Sequence, residues 1–128
     1  MIAEFSIENF FSIKSSQKIS FEPTSDVFMS DEYSYEVKEG VRLLKIGIIY
    51  GANASGKTNI LNAVEFFRML VLSMPKDRNA KTGVVPFLLD ETSRNENTKM
   101  SMTFYINQLK YILSFELDSK RIYSESLV

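Results

Sequence analysis

The chain has 128 residues, 45% of them apolar and 24% charged, with a formal net charge of −1. That suffices for one domain with one core; it is too apolar for a disordered chain and too neutral for a protein-wide basic field toward nucleic acid. Cysteine and histidine are both absent, which excludes cysteine or histidine zinc sites, thiol nucleophiles, disulfide frameworks and every histidine-based triad.

The N-terminus alternates. Ala3, Phe5 and Ile7 fall on one face and Glu4, Ser6 and Glu8 on the other, as in a half-buried strand. The two glutamates also exclude a signal peptide here. Residues 17–22 alternate in the same way, with Ile19 and Phe21 inward, and residues 11–16 form the turn of an N-terminal hairpin. Residues 23–40 are polar and acidic, with Asp26, Asp31, Glu32, Glu36 and Glu39. They read as a solvated connection; a short edge strand through Tyr33, Tyr35 and Val37 is the alternative.

Residues 43–50, LLKIGIIY, are nearly all apolar, as expected of a central strand covered on both faces. Gly51-Ala52-Asn53-Ala54-Ser55-Gly56-Lys57-Thr58 follows at once and fits G-x-x-x-x-G-K-[ST]. A helix from Gly56 or Lys57 to about Leu72 comes next. Strand, glycine-bounded loop and helix together are the context a phosphate-binding loop needs. At about 100° per residue, Ile60, Ala63, Val64, Phe67, Leu70 and Val71 share one helix face. Leu61, Phe66, Met69 and Leu72 spread over the rest, which predicts burial on more than one side. The apolar run at 66–72 is broken by Arg68 and is far too short to span a bilayer.

The loop chemistry follows from the ligand. A nucleoside triphosphate concentrates negative charge, and backbone N–H groups of the loop and of the helix N-terminus answer it. Gly51 and Gly56 suit a backbone that turns tightly and approaches phosphate closely. Lys57 reaches toward the β- and γ-phosphates, and the Thr58 hydroxyl is the expected ligand of Mg²⁺. Ala52, Asn53, Ala54, Ser55 and Asn59 complete the expected nucleotide-binding set, with ATP and Mg²⁺ as the cofactors. No residue of the chain is singled out as catalytic.

Beyond the helix, Pro75, Asp77, Asn79 and Gly83 mark a loop carrying a small basic run, Lys76, Arg78 and Lys81. Three cations are few beside the roughly six to ten phosphate contacts of strong DNA binders, so the loop reads as solvated. Residues 84–90, VVPFLLD, contain Pro86 and make at best an edge strand; residues 91–97 are polar linker. The tail is β. Met100, Met102, Phe104 and Ile106 alternate with polar neighbours, Asn107-Gln108 turn the chain, and Tyr111, Leu113, Phe115 and Leu117 alternate again. Asp118-Ser119-Lys120 turns it once more into a weak third strand, giving an antiparallel meander. The fold class is therefore α/β: a central strand–loop–helix unit with an antiparallel β layer from the N-terminal hairpin and the C-terminal meander.

With Glu8-Asn9-Phe10 and Ser12 near the start, the loop Tyr50–Leu61, Pro86-Phe87-Leu88-Leu89-Asp90 and the closing Arg121–Leu127, the chain resembles ABC-type ATPases of the SMC and RecF kind. The likeness is closer to an AAA-labelled bacterial branch that includes OLD-family nucleases and abortive-infection ATPases. The resemblance implies ATP hydrolysis on dimerisation, in phage defence or DNA metabolism, and a cytoplasmic location. Two positions depart from the wider pattern: Ala54 stands where SMC-type ATPases have Gly, and Phe11 where they often have Arg. The second removes the charged contact expected from this turn and leaves Ser12 as the residue near the nucleotide.

Such ATPases also need a Walker B carboxylate, a catalytic Glu, a signature motif from a second protomer and a Q-loop Gln. No apolar run ending in Asp-Glu is found here except the short Leu88-Leu89-Asp90-Glu91 after Pro86, and Gln108 sits in a turn. Residues 1–128 are accordingly expected to be one domain, the N-terminal lobe of a longer ATPase. Its expected partners are the C-terminal half and a second protomer in a homodimer, with nucleic acid a partner of the whole protein only and no membrane. A non-catalytic P-loop interaction module is the alternative. A small complete kinase or GTPase is a further one, opposed by the β-rich tail.

Overall fold

The alternating segments at the two ends of the chain meet in one sheet. The computed structural model describes residues 1–25, 30–73, 77 and 80–128. Asp26 of the acidic connection and Pro75, Lys76, Arg78 and Asn79 of the basic loop lie outside the described residues. In chain order the elements are β1 (Ile2–Glu8), β2 (Gln17–Ser20), a single-turn α1 (Ser30–Tyr33), β3 (Ser34–Lys38), β4 (Val41–Leu44), α2 (Lys57–Leu72), a single-turn α3 (Glu91–Arg94), β5 (Thr98–Ile106), β6 (Leu109–Leu117) and β7 (Ile122–Leu127). Five strands form an antiparallel sheet in the order β2-β1-β5-β6-β7, and β3 and β4 form a separate pair.

The period-2 pattern explains the sheet's two faces. Phe5, Ile7, Met100, Phe115 and Leu117 are buried in one cluster with Ala63, Phe66 and Phe67 of α2, and Ala3 is buried on the same strand face. On the other face, register aligns Ser6, Ser101, Ser114 and Ser126 across four strands. The β5–β6 turn holds both Asn107 and Gln108 at positive φ, 51° and 68°, as a two-residue hairpin loop requires. The helix is clamped by aromatic edges: Phe67 meets Phe5 at 5.7 Å and Phe115 at 5.3 Å, and Phe66 meets Phe10 at 5.7 Å. Ala63, fully buried between them, lets the helix axis approach the sheet.

The α/β class and the joined β layer hold, and four local expectations are corrected. First, the strand before the loop ends at Leu44, and residues 45–50 are in no sheet. Ile46, Ile48 and Tyr50 are 61%, 79% and 90% exposed, so the segment is not covered on both faces. A central strand needs a neighbour on each side, and among the described residues only β3 pairs with this stretch. Second, the acidic connection contains a real hairpin, β3–β4, around Gly40 at φ 74°. Third, α2 is buried on one side: Phe66 turns inward while Val71, Leu61, Met69 and Leu72 stay exposed. The sheet is wide enough to cover only the stripe running through residues 63, 66 and 67. Fourth, residues 84–90 form no strand and the supposed linker contains α3; side-chain hydrogen bonds described below hold that segment instead.

Candidate functional site

The glycine-bounded loop enters α2 without a conventional cap. Gly56 is the N-cap residue, in the left-handed region at φ 90°, and α2 has neither a side-chain cap nor an acidic residue in its first turn. A 16-residue helix thus presents its positive end at the loop, with backbone N–H groups directed outward from it. Ala54 also lies at φ 60°, a conformation costly for a residue with a Cβ. A Cβ on Gly51 would lie 3.0 Å from the Ser55 hydroxyl, a tight contact that glycine avoids. The loop closes with Ser55 N–H donating to Ala52 O at 3.3 Å.

Lys57 folds back over this loop. Its ammonium donates to the carbonyls of Gly51 at 2.9 Å and Ala52 at 2.6 Å, and reaches the Ser55 hydroxyl at 3.5 Å. The cation therefore sits against the loop carbonyls, in contacts that are open to solvent. Thr58 follows in the first turn of α2 and is exposed. A single hydroxyl oxygen suits Mg²⁺ only as one ligand among waters and phosphate oxygens. Among the described residues, no group of three or more Asp or Glu side chains could hold a metal ion by itself.

The turn of the N-terminal hairpin abuts the loop. Phe10 and Ile13 exchange two backbone hydrogen bonds at 2.8 Å, leaving Phe11 and Ser12 at the tip. Ser12 Oγ accepts from Asn59 Nδ2 at 2.7 Å and lies 3.4 Å from the point a Gly56 Cβ would occupy. Asn9 fastens the same turn from behind. Its buried amide donates to the carbonyls of Ser93 and Glu96, at 2.8 and 2.9 Å, and accepts from Phe87 N–H at 2.9 Å. Its own carbonyl accepts from the Thr98 hydroxyl at 2.6 Å. The segment holding Asp90 is thereby tied to the hairpin.

Asp90 has a structural task. Its carboxylate caps α3, accepting from Ser93 N–H at 3.1 Å and the Ser93 hydroxyl at 2.7 Å, and pairs with Lys14 at 3.3 Å. The Ser93 hydroxyl, its N–H and then Lys14 hold this carboxyl below the usual carboxylate range. The Asp90-Glu91 pair of the sequence is thus a helix cap followed by the first helical residue. It is not the end of an apolar strand.

Gly51, Ala52, Asn53, Ala54, Ser55, Gly56, Lys57 and Thr58 therefore form one connected loop, and Asn59 joins it to the hairpin. Sequence reading placed Ser12 near the site; it did not show that the Asn59 side chain is what holds it there. Chain separation hides such a bond, since the two partners are 47 positions apart.

Residues 46–128 match the family described as "AAA domain, putative AbiEii toxin, Type IV TA system". No curated protein and no solved structure matches the chain. No helix among the described residues is long and apolar enough to cross a membrane. The match takes in most of the chain, from just before the loop through the whole meander, so the chain belongs to this AAA domain family, whose P-loop ATPase-like character supports nucleotide binding.

Proposed function

From this membership, we propose that the chain binds ATP at residues 51–59 as the N-terminal lobe of a larger ABC-type ATPase, which hydrolyses ATP on dimerisation in phage defence or DNA metabolism. The observation that carries the binding reading is Lys57, folded into the loop at the uncapped N-terminus of α2. On phosphate binding its ammonium exchanges the Gly51 and Ala52 carbonyls for β- and γ-phosphate oxygens, which are stronger, charged acceptors. The N–H groups at the helix start supply the rest of the cradle. Thr58 offers one oxygen toward Mg²⁺, whose bound form neutralises phosphate charge. The exposed Ile46, Ile48 and Tyr50 beside the loop support a larger assembly, because apolar surface of this kind is normally covered.

Calorimetry with ATP, with and without Mg²⁺, tests the reading. Lys57→Ala removes the only side-chain cation of the loop. It should weaken ATP binding at least roughly tenfold, since charge-assisted hydrogen bonds are worth about 1.5–3 kcal/mol. Thr58→Ala should leave metal-free affinity alone and reduce the gain from Mg²⁺. An unchanged affinity in Lys57→Ala rejects the phosphate-loop assignment, and a loop kept for structure alone would give no ATP heat in the parent either.

A further inference from the structure

The two edges of the five-stranded sheet are guarded unequally. β2 has four residues, one of them Lys18, and just beyond it Phe21 O accepts from Leu44 N–H at 2.7 Å. β7 has six residues, all exposed, and among the described residues it pairs only with β6. It contains no proline or lysine, and its register shift lies at its first end, opposite Glu116 and Leu117. Apart from the single charge of Glu125, the strand lacks the devices that keep edges from pairing. The direction of its free backbone groups follows from the ladder. Val128 and Ile112 exchange both hydrogen bonds, at 3.0 and 2.8 Å. Bonded and non-bonded pairs alternate along an antiparallel ladder, so Ser126 and Ser124 face β6 while Leu127 and Glu125 turn their N–H and C=O groups outward.

A groove opens at the start of the same strand. It holds about 460 Å³, and Phe66 and Met69 of α2 and Ile122 of β7 supply apolar lining. Lys81, Lys120 and Arg121 line it too, and no acidic residue among the described residues does. The Asp118 carboxylate in the adjoining turn is taken up by the N–H groups of Lys120 and Arg121 and by the Tyr123 hydroxyl. Ile122, Glu125 and Leu127 share the helix-facing side, since their register partners are Leu117, Phe115 and Leu113. We propose that β7 is the docking edge for an extended segment of a partner protein, added antiparallel like every other strand of this sheet. The proposal is independent of the nucleotide reading above. Peptide N–H and C=O groups at a strand's repeat satisfy the outward groups of Glu125 and Leu127, which a nucleic-acid backbone cannot do. Backbone bonds of this kind give affinity, and alternate side chains give specificity. Charge complementarity sets those side chains. The residue opposite Glu125 is a cation. Two positions nearer the partner's C-terminus an apolar side chain enters the groove, and a carboxylate follows it to meet Lys120 and Arg121. The positions between face the side of Ser124 and Ser126 and are small and polar.

The probe is the peptide acetyl-VTKTLTEE-amide, with the charge-swapped acetyl-VTETLTKK-amide beside it. Amide hydrogen exchange by NMR reads the edge directly. In the free chain the Glu125 and Leu127 amides should exchange as open groups, and the Ser124 and Ser126 amides should already be protected. Saturation with the first peptide should slow Glu125 and Leu127. Fluorescence anisotropy of dye-labelled peptides should show the first binding about tenfold tighter than the swapped one, because each cross-strand charge pair turns from opposite to like. Glu125→Pro removes an outward N–H and no bond to β6, so it should abolish binding and leave the urea midpoint near that of the parent. Glu125→Gln keeps the N–H and should weaken the first peptide only about threefold, the worth of one charge pair. It also keeps the edge testable should the proline variant fail to fold. Absence of binding, equal affinity for the two peptides, full binding by a folded Glu125→Pro, or bound peptide that leaves the Glu125 and Leu127 amides open would each overturn the proposal. Protection of those two amides in the free chain that disappears on dilution would assign the edge to a second copy, and would overturn it as well.

Discussion

Asn9 commits its whole side-chain amide inside the fold, donating twice and accepting once while 2% exposed. It also takes φ 54°, which Asn tolerates better than other residues with a Cβ. Asn9→Ala would take their side-chain partner from the part-buried Phe87 N–H and the Glu96 carbonyl, while the Ser93 carbonyl keeps the Glu96 N–H at 3.3 Å. Each group left unpaired costs about 1–3 kcal/mol, so a loss of roughly 2 kcal/mol or more is expected in urea unfolding. A change below about 1 kcal/mol, the size of an ordinary surface effect, would show that water replaces the amide at no cost. The Glu8-Asn9-Phe10 run was readable only as a family likeness, because its partners lie 78 to 89 residues away. The loop was readable outright, because Gly51, Ala52, Ser55 and Lys57 act on one another within seven consecutive residues. Ala54 belongs between these cases: the motif located it, and only the structure shows it left-handed.

Elements were legible in proportion to how local their signals are. The start of α2 follows from the glycine before Lys57, and the long strands of the tail follow from strict alternation closed by the two-residue turn Asn107-Gln108. Residues 45–50 misled because an apolar run reports a preference for burial, and burial needs neighbours that the run itself does not supply. The single turn α3 was missed because four residues show no period; its signal was Asp90 with Ser93 three residues on, a cap with its partner. That cap makes a pH prediction. The Asp90 carboxyl titrates below its ordinary value in the fold, held there first by the Ser93 hydroxyl. Its contribution is therefore full above the unfolded value of about 3.9 and is lost as pH falls through the folded one. Asp90→Asn keeps a capping oxygen and drops the charge. Urea midpoints of the parent should fall more steeply than those of Asp90→Asn as the solution is acidified below about pH 4. Parallel curves would mean that the charge on Asp90 contributes nothing to the fold.

At the scale of the whole molecule, the question is what this chain can do alone. Holding phosphate and cleaving it make different demands. Cleavage needs a carboxylate or amide to orient the attacking water and further positive charge to stabilise the transition state. The loop supplies one cation, Lys57, and two hydroxyls, Ser55 and Thr58. The acidic candidates are occupied elsewhere. Asp90 caps α3 and pairs with Lys14, and Glu65 is bound two-fold to Arg68 at 2.8 and 2.7 Å on the exposed side of α2. Glu91 starts α3, on the segment that Asn9 ties behind the hairpin rather than against the loop. The 128-residue chain is accordingly expected to bind Mg-ATP without turning it over. Single-turnover phosphate release, with protein in excess of ATP, should match the protein-free background for the parent and for an Asp90→Asn/Glu91→Gln double variant alike. Release well above background in the parent, abolished in the double variant, would make Asp90 and Glu91 catalytic and overturn their reading as cap and helix start. Release that both proteins show equally would place the water-orienting group elsewhere in this chain, and the expectation of binding without turnover would fail. The exposed Ile46, Ile48, Tyr50 and Leu61 around the loop give that measurement a concentration dependence to watch. If catalysis is completed by a second copy, release per protein should rise with protein concentration, and it should stay flat if the chain acts only as a phosphate cradle.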